Sequence, residues 1–282
     1  MTFDPESLGQ SRSDLAEALR GERKRSGLTQ TALARRCNMS QTKVSNIENG
    51  KLTPTLVDVE LILEALGAVG PVATEILALA RSANTEWQDD WGSLRRGLDK
   101  KQNELARLEA LTSEFRFFLP TMITGLLATP DYVRASLSRN SGDMSKTVAK
   151  KLERQQILMD TSKVFTFLLT EQAARWPLAP PLAMAMQLDR LASVSRLPNV
   201  RLGVIPLGIV GPVAETPLSV FTIYGRRLVQ VETHTGALIL RDHRDVSAYR
   251  EDFERYESHA VFGDDCRSLL NEWAMIFTRQ HQ

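Results

Sequence analysis

Leu28–Lys51 reads LTQTALARRCNMSQTKVSNIENGK and contains two short helical patterns separated by a turn. Thr29 and Ser40 are hydroxyl residues of the kind that cap helix N-termini. In the second pattern Val44 and Ile47 lie three residues apart and therefore share one apolar face. The other face carries Gln, Thr, Lys, Ser and Asn, whose side chains match the donors, acceptors and methyl groups of base edges. The stretch predicts a helix-turn-helix whose second helix reads DNA.

The stretch resembles the helix-turn-helix of the phage-repressor and Cro-like (XRE) family. The resemblance rests on Leu28-Thr29-Gln30, Leu33-Ala34, Val44-Ser45, Ile47-Glu48, Gly50 and Pro54. It implies that Gln30 contacts a phosphate and braces Gln41, with further base-reading positions at Thr42, Lys43 and Asn46. Cys37 stands where Gly is common at the turn, but the adjacent Asn38 tolerates a left-handed backbone. The alternative is an ordinary helical hairpin with no role on DNA.

Positive charge is concentrated around this stretch. The chain has a net charge of only +1, yet Ser11–Lys51 contains nine Lys or Arg against four Asp or Glu. Residues Thr55–Asp90 contain seven acids and one base. Phosphate contacts require a basic face, and the excess lies where the motif needs it. We therefore predict DNA contacts from Arg23, Gln30, Ser40, Gln41, Thr42, Lys43, Ser45, Asn46 and Lys51.

Composition indicates a globular protein of two domains. The chain has 282 residues, of which 43% are hydrophobic and 24% charged. No apolar run approaches the ~20 residues that cross a bilayer, and the N-terminal stretch has no export leader. Its two cysteines, Cys37 and Cys266, are too few for a disulfide framework. We expect a cytoplasmic protein, associated with the nucleoid when bound to DNA, with no membrane partner.

Helical and strand patterns predict the domain organisation. Five helical patterns predict an all-α, repressor-like DNA-binding domain at residues 1–83, and the polar residues after it mark a boundary. Residues 84–113 are expected to form a linker and a long helix, about Leu94–Ser113, that serves either as a dimer helix or as a helix packed on the next domain. Residues 114–282 mix strand patterns, such as Val164–Leu169, with amphipathic helices, and predict an α/β (α+β) regulatory or dimerisation domain.

The second half also resembles the C-terminal domain of actinobacterial WhiJ-type regulators. The resemblance rests on Trp91, Glu109, Pro120, Gly125-Leu126-Leu127, Thr129-Pro130, Tyr132, Arg154-Gln155, Thr170-Glu171, Met186-Gln187-Leu188, Asn199-Val200, Ile205-Pro206, Val231-Glu232 and Tyr249. It departs from that pattern at Thr121-Met122-Ile123, where a second Pro is usual. The resemblance implies a DNA-binding regulator often encoded beside a very short partner protein, and some such pairs are antitoxin-like.

Polar residues in the second half form a candidate ligand or partner pocket. Arg154, Glu171, Gln187 and Glu232 occur at strand ends or on otherwise apolar helices. If they converge, they would hold a small ligand or a peptide segment. Two buried carboxylates require a cation, and Arg154 or Arg175 would have to supply it. The alternative is a set of ordinary salt bridges.

No catalytic pattern is evident in the sequence. It lacks a Gly-rich phosphate loop, an HExxH motif and a Gly-x-Ser-x-Gly motif, and His234, His243, His259 and His281 do not form a metal-binding set. The run Asp242–Asp245 could be an acid/base or metal cluster, but we interpret Asp245 as a helix N-cap and the rest as a solvated loop. We expect no catalytic residues, no metal, no cofactor and no enzymatic activity.

Three functions are compatible with these patterns to different degrees. The first is a transcriptional regulator, acting as a repressor, that binds a palindromic operator as a homodimer and receives a partner or small-molecule effector on its C-terminal domain. The second is an antitoxin-like protein that neutralises a small neighbour-encoded protein and binds DNA for autoregulation. The third, an enzyme on the C-terminal domain, is disfavoured because the sequence shows no catalytic constellation.

Overall fold

The protein is described by a computed structural model that covers residues 8–89, 109–110, 112–138, 144–208, 219–233 and 236–281. The chain divides into two compact units, neither continuous in sequence. The first unit comprises Met1–Arg96, Arg227–Gln230 and His234–Ser247. The second comprises Gly97–Arg226, Val231–Thr233 and Ala248–Gln282. The predicted boundaries, 1–83, 84–113 and 114–282, did not anticipate that late residues join the first unit.

The helices and strands of the described residues are numbered in chain order. The helices are α1 (Leu8–Arg25), α2 (Gln30–Arg36), α3 (Gln41–Glu48), α4 (Leu56–Leu66), α5 (Pro71–Asn84), α6 (Pro130–Ser136), α7 (Ser145–Glu153), α8 (Glu171–Arg175), α9 (Pro181–Val194), α10 (His243–Ser258) and α11 (Gly263–His281). A 3-10 helix, Arg154–Met159, follows α7. The strands are β1 (Thr85–Asp89), β2 (Glu114–Leu119), β3 (Val164–Thr170), β4 (Val200–Ile205), β5 (Phe221–Tyr224), β6 (Leu228–Glu232), β7 (Gly236–Leu240) and β8 (Val261–Phe262).

The helices of the first unit enclose one apolar core. Its fully buried side chains come from all five helices and include Leu15, Leu19, Leu33, Val44, Ile47, Val59, Ile62 and Ile76. Local signals set the helix ends: Thr55 and Asp58 form a capping box at the start of α4, and Gly67 ends it with a φ of 67°. The predicted helical N-terminal region is thereby confirmed.

Strand pairing adds residues from far along the chain to the first unit. β1 follows α5 directly and pairs antiparallel with β7, with Thr85 opposite Leu240 and Asp89 opposite Gly236. The sequence predicted a linker at the β1 residues, because a five-residue strand that pairs about 150 residues away has no local signature. Most of the predicted long helix, Leu94–Ser113, lies outside the described residues.

The second unit contains a mixed sheet with helices, as predicted. Its strands are ordered β5-β2-β3-β4-β8, with β2, β3 and β4 parallel and both outer pairings antiparallel. Chain segments containing helices connect the parallel strands, as such crossovers require. Phe115 stacks on Phe165 and Phe117 on Phe167, with ring centroids 4.9 and 4.7 Å apart. Among the described helices, none is long and apolar enough to cross a membrane.

Candidate nucleic-acid interface

Helix α3 presents a polar face and buries an apolar one. Val44 and Ile47 are each 1% exposed and pack in the core of the first unit. Gln41 and Thr42 are exposed, and Lys43, Ser45 and Asn46 are half-buried. Ser40 caps the helix by accepting a hydrogen bond from the Lys43 backbone N–H at 3.1 Å. The side chains predicted to read bases therefore share one accessible surface.

The turn between α2 and α3 depends on one left-handed residue. Asn38 has a φ of 53°, the one positive φ among the described non-glycine residues. Cys37, beside it, has a φ of −89° and is buried. Asn is among the residues that tolerate this conformation, so the turn forms without a glycine.

Two glutamines connect the start of α2 to the start of α3. Gln41 donates from Nε2 to Oε1 of Gln30 at 3.1 Å, and Gln30 donates from Nε2 to Oε2 of Glu48 at 2.8 Å. Since a carboxylate only accepts, Glu48 fixes which end of the Gln30 amide faces it. That choice orients the Gln41 amide in turn. The second N–H and the Oε1 of Gln41 then match the N7 acceptor and N6 donor of adenine.

Glu48 is the buried centre of this arrangement. It is 3% exposed. Arg23 donates a hydrogen bond to each of its carboxylate oxygens, with Nη2 2.9 Å from Oε2. Burial alone would raise the pKa of Glu48, but the hydrogen bonds from Arg23 and Gln30 and the charges of Arg23 and Arg20 lower it. Glu48 is therefore a charged, internally paired residue. The sequence prediction gave it no role, although a carboxylate beside the inward-facing Ile47 demands a partner.

The basic residues of the predicted interface fall into two groups. Arg23, predicted from sequence to contact a phosphate, is directed inward: besides Glu48 it binds the Leu28 carbonyl at 2.9 Å. Lys43 pairs with Asp58 of α4 at 2.7 Å through a side chain that is 38% exposed. Lys51 is exposed after α3. Lys51 and Lys43 are thus the predicted cations that remain accessible.

The predicted pocket residues of the second unit are bound to several different partners. Gln187 is fully buried, and its amide accepts from the Thr129 N–H at 2.6 Å and donates to the Leu127 carbonyl at 3.0 Å. Glu171 pairs with Arg175 and accepts from the Leu207 N–H at 2.9 Å. Gln187 thereby holds the backbone of residues 127–129, and Glu171 holds the backbone at Leu207.

Arg154 and Glu232 lie in a separate charged group. Arg154 donates from Nε to Glu109 at 2.9 Å, and its guanidinium interacts with the charge of Glu232. Burial disfavours the charge of Arg154, but the Glu109 carboxylate outweighs it and raises the Arg154 pKa. The same group surrounds Tyr224, whose pKa is raised chiefly by burial. These contacts favour paired, structural residues over one convergent pocket.

Asp242 occupies a position that the sequence prediction misjudged. It is 1% exposed and precedes α10, with Oδ1 accepting from the Arg244 N–H at 2.9 Å. Asp242, and not Asp245, is therefore the N-cap, and it is buried and not solvated. The described part of the chain holds no group of three or more His, Cys, Asp or Glu residues that could bind a metal ion.

Comparisons with known proteins separate the two halves of the chain. A family model described as a helix-turn-helix domain matches residues 14–76, and one described as a domain of unknown function (DUF5753) matches residues 102–272. No curated protein matches the chain. The first match confirms the predicted helix-turn-helix. The XRE and WhiJ-type attributions go beyond what these models describe and stay predictions.

Three solved structures resemble the chain at low identity. NucT from Helicobacter pylori is 7% identical with a TM-score of 0.39, over 64% of this chain and 98% of that one. The archaeal chromatin protein TrmBL2 is 12% identical with a TM-score of 0.32, over 64% of this chain and 53% of that one. Nuc from Salmonella typhimurium, a phospholipase D family member, is 9% identical with a TM-score of 0.32, over 58% and 90%.

These structures correct the prediction that the chain is not an enzyme. NucT and a phospholipase D family member are among its structural neighbours, so the exclusion of an enzyme on sequence grounds was wrong.

Proposed function

The chain belongs to the DUF5753 family, and from its helix-turn-helix domain we propose a sequence-specific, XRE-type transcriptional repressor that acts in the cytoplasm. The observation that carries the proposal is the hydrogen-bonded series Glu48, Gln30 and Gln41, which leads from a buried carboxylate to the exposed face of α3. A merely structural hairpin would have no need to orient an exposed amide.

The proposed DNA contacts follow from the chemistry of the α3 face. Gln41 and Asn46 would each pair with adenine, and Thr42 would contact a thymine methyl group. Lys43 would exchange its ion pair with Asp58 for a guanine or a phosphate. Ser40, Ser45 and Lys51 would add hydrogen bonds and charge at the phosphate backbone.

We further propose that the protein binds a palindromic operator as a homodimer. Helix-turn-helix dimers place their recognition helices about 34 Å apart, one turn of the duplex. Residues 1–83 would form the DNA-binding domain, 84–113 the connection, and 114–282, apart from the late residues that join the first unit, the part that dimerises and receives a small effector or a neighbour-encoded protein. The last of these functions is the basis of the antitoxin-like alternative. Native mass spectrometry of protein purified from its own host would reveal the dimer and any bound mass together.

The α3 assignment is tested by alanine substitution. Gln41→Ala or Asn46→Ala should each weaken binding to the operator by about 1–3 kcal/mol and relax base preference at one position per half-site. Fluorescence anisotropy on a duplex selected by the wild-type protein from a random-sequence pool measures both. Gln172→Ala, an exposed glutamine on α8, is the matched control. Wild-type affinity in both α3 variants would rule out the proposed reading face.

A further inference from the structure

A residue from the far end of the chain binds the N-terminus of α4. Asp242 accepts a hydrogen bond from the Leu56 N–H at 3.0 Å through Oδ2, while its Oδ1 caps α10. Leu56 is the first residue of α4. The N–H groups in the first turn of a helix have no hydrogen-bond partner within that helix. A carboxylate is well suited to that end because it also opposes the positive end of the helix dipole. Asp242 therefore joins the starts of two helices that are 186 residues apart.

Residues close to Asp242 also hold the short segment that links α3 to α4. Asn84, at the end of α5, donates from Nδ2 to the Pro54 carbonyl at 2.9 Å, and its own carbonyl accepts from the Arg241 N–H at 3.2 Å. Arg244 forms an ion pair with Glu60 on the next turn of α4. The link from Lys51 to Leu56 is thus held at its α4 end by residues 241–244, all within the first unit.

Two contacts connect the first turn of α4 to the polar face of α3. Asp58, in the first turn of α4, accepts from the Thr55 N–H through Oδ2 and from Lys43 Nζ through Oδ1. The direction in which the first turn of α4 points therefore sets the position of the carboxylate that holds Lys43. A shift at Leu56 would move Asp58 and, with it, a side chain on the proposed reading face.

We propose that residues 236–247, the clamp segment, control DNA binding, with Asp242 as the positioning residue. The inference rests on the proposed function and adds to it how the reading face is positioned. Along the chain, the clamp segment is preceded by residues 231–233 and followed by residues from 248, all of which belong to the second unit. Asp242 acts by fixing the first turn of α4 and, through Asp58, the position of Lys43 on the proposed reading face.

The test uses the full-length chain and three variants. Asp242→Ala removes both hydrogen bonds, whereas Asp242→Ser keeps an oxygen that can cap α10 but does not reach Leu56 as well. Asp245→Ala removes an exposed carboxylate three residues further on and is the matched control. Two quantities are measured: amide hydrogen exchange in the first turn of α4, and affinity for the selected duplex and for an unrelated duplex.

A positioning role predicts a loss of specificity. In Asp242→Ala and Asp242→Ser, exchange at the start of α4 should rise and affinity for the selected duplex should fall by about tenfold, with less than about a twofold change on the unrelated duplex. Asp245→Ala should behave like the wild type. The reason is that non-specific binding depends on the summed charge of the basic surface, whereas a shift of Lys43 moves only one of its cations.

Other outcomes would contradict the inference in distinguishable ways. Equal losses on both duplexes would show that Asp242 only sets the folded fraction, and faster exchange with unchanged affinities would show a structural role alone. Asp242→Ser keeps the test valid if Asp242→Ala does not fold. If the wild-type protein selects no duplex, the proposed function itself fails, and this inference fails with it.

Discussion

Polar side chains hold both the helix-turn-helix and the Gly125–Thr129 loop, but their partners lie at different sequence distances. In the first, Glu48 binds Gln30 and Arg23, partners that are 18 and 25 residues away. In the second, Gln155 binds the Gly125 carbonyl 30 residues away, and Gln187 binds Leu127 60 residues away. Glu48 binds two side chains, whereas Gln155 and Gln187 bind backbone carbonyls of the loop. The loop therefore depends on partners that are farther away in sequence than those of the helix-turn-helix.

Removing Glu48 should affect the first region most strongly. Glu48→Ala leaves the largely buried Arg23 without its carboxylate, and breaking such a pair costs about 3–5 kcal/mol of unfolding free energy. Hydrogen exchange under urea should show the loss in α1 to α4 and leave β2 to β4 protected. Glu64→Ala, an exposed glutamate on α4, is the control. Equal loss of protection in both units would contradict the division of the chain into two units.

The reciprocal change is Gln187→Ala. It leaves the Thr129 N–H and the Leu127 carbonyl without their partner, at a cost of about 1–3 kcal/mol. The same exchange experiment should now show weaker protection around residues 124–133 and an unchanged first unit. Gln172→Ala provides a comparison with an exposed glutamine. An undisturbed loop would mean that Gln155 alone is sufficient to hold it.

The smallest expected difference between the two regions is in how their stability depends on acid pH. The pKa of Glu48 is lowered on folding, so its charge stabilises the first unit above the ordinary carboxylate pKa of about 4.3, and this contribution is lost as pH falls through the folded value. The pKa of Glu114 in the second unit is lowered in the same direction by Arg116 and Arg250, against its burial. Glu48→Gln should therefore flatten the acid dependence of the first unit alone.

Urea unfolding followed by NMR at pH values from about 6 down to about 3, which span the ordinary carboxylate pKa, measures this difference. The readout is the slope of unfolding free energy against pH for α3 amides, compared with that for β3 amides in the same samples. An α3 slope that is the same in the wild type and in Glu48→Gln would contradict the assignment of the charge to Glu48.

Local signals explain how much of the fold was predictable. Ser40, Val44 and Ile47 define α3 through a cap and a three-residue spacing, so the helix-turn-helix was predicted and is matched by a family model. Strand patterns such as Val164–Leu169 likewise predicted the mixed sheet. The pairing of β1 with β7 was missed, because neither strand carries information about a partner so distant in sequence.

The sequence predicted which residues form the polar face of α3 better than it predicted the contacts of the residues around it. The α3 residues do share a polar face, and their contacts with DNA remain a prediction. Arg23 was assigned to a phosphate because it lies in a basic run, yet Glu48 binds it internally. Asp242 was taken for a solvated residue, yet it is buried and binds the Leu56 N–H, which is far from it in sequence. In both cases the deciding partner lies outside the local window.

The first unit is built from separate stretches of the chain, and this affects when its parts become available during synthesis. A ribosome finishes residue 96 roughly 150 residues before it finishes residue 247. At the usual rates of synthesis that interval is on the order of ten seconds or longer. During this time the new helix-turn-helix is outside the ribosome without β7 and without Asp242 at the start of α4. A nascent chain should therefore complete the contacts at the start of α4 only after residue 247 has been synthesised.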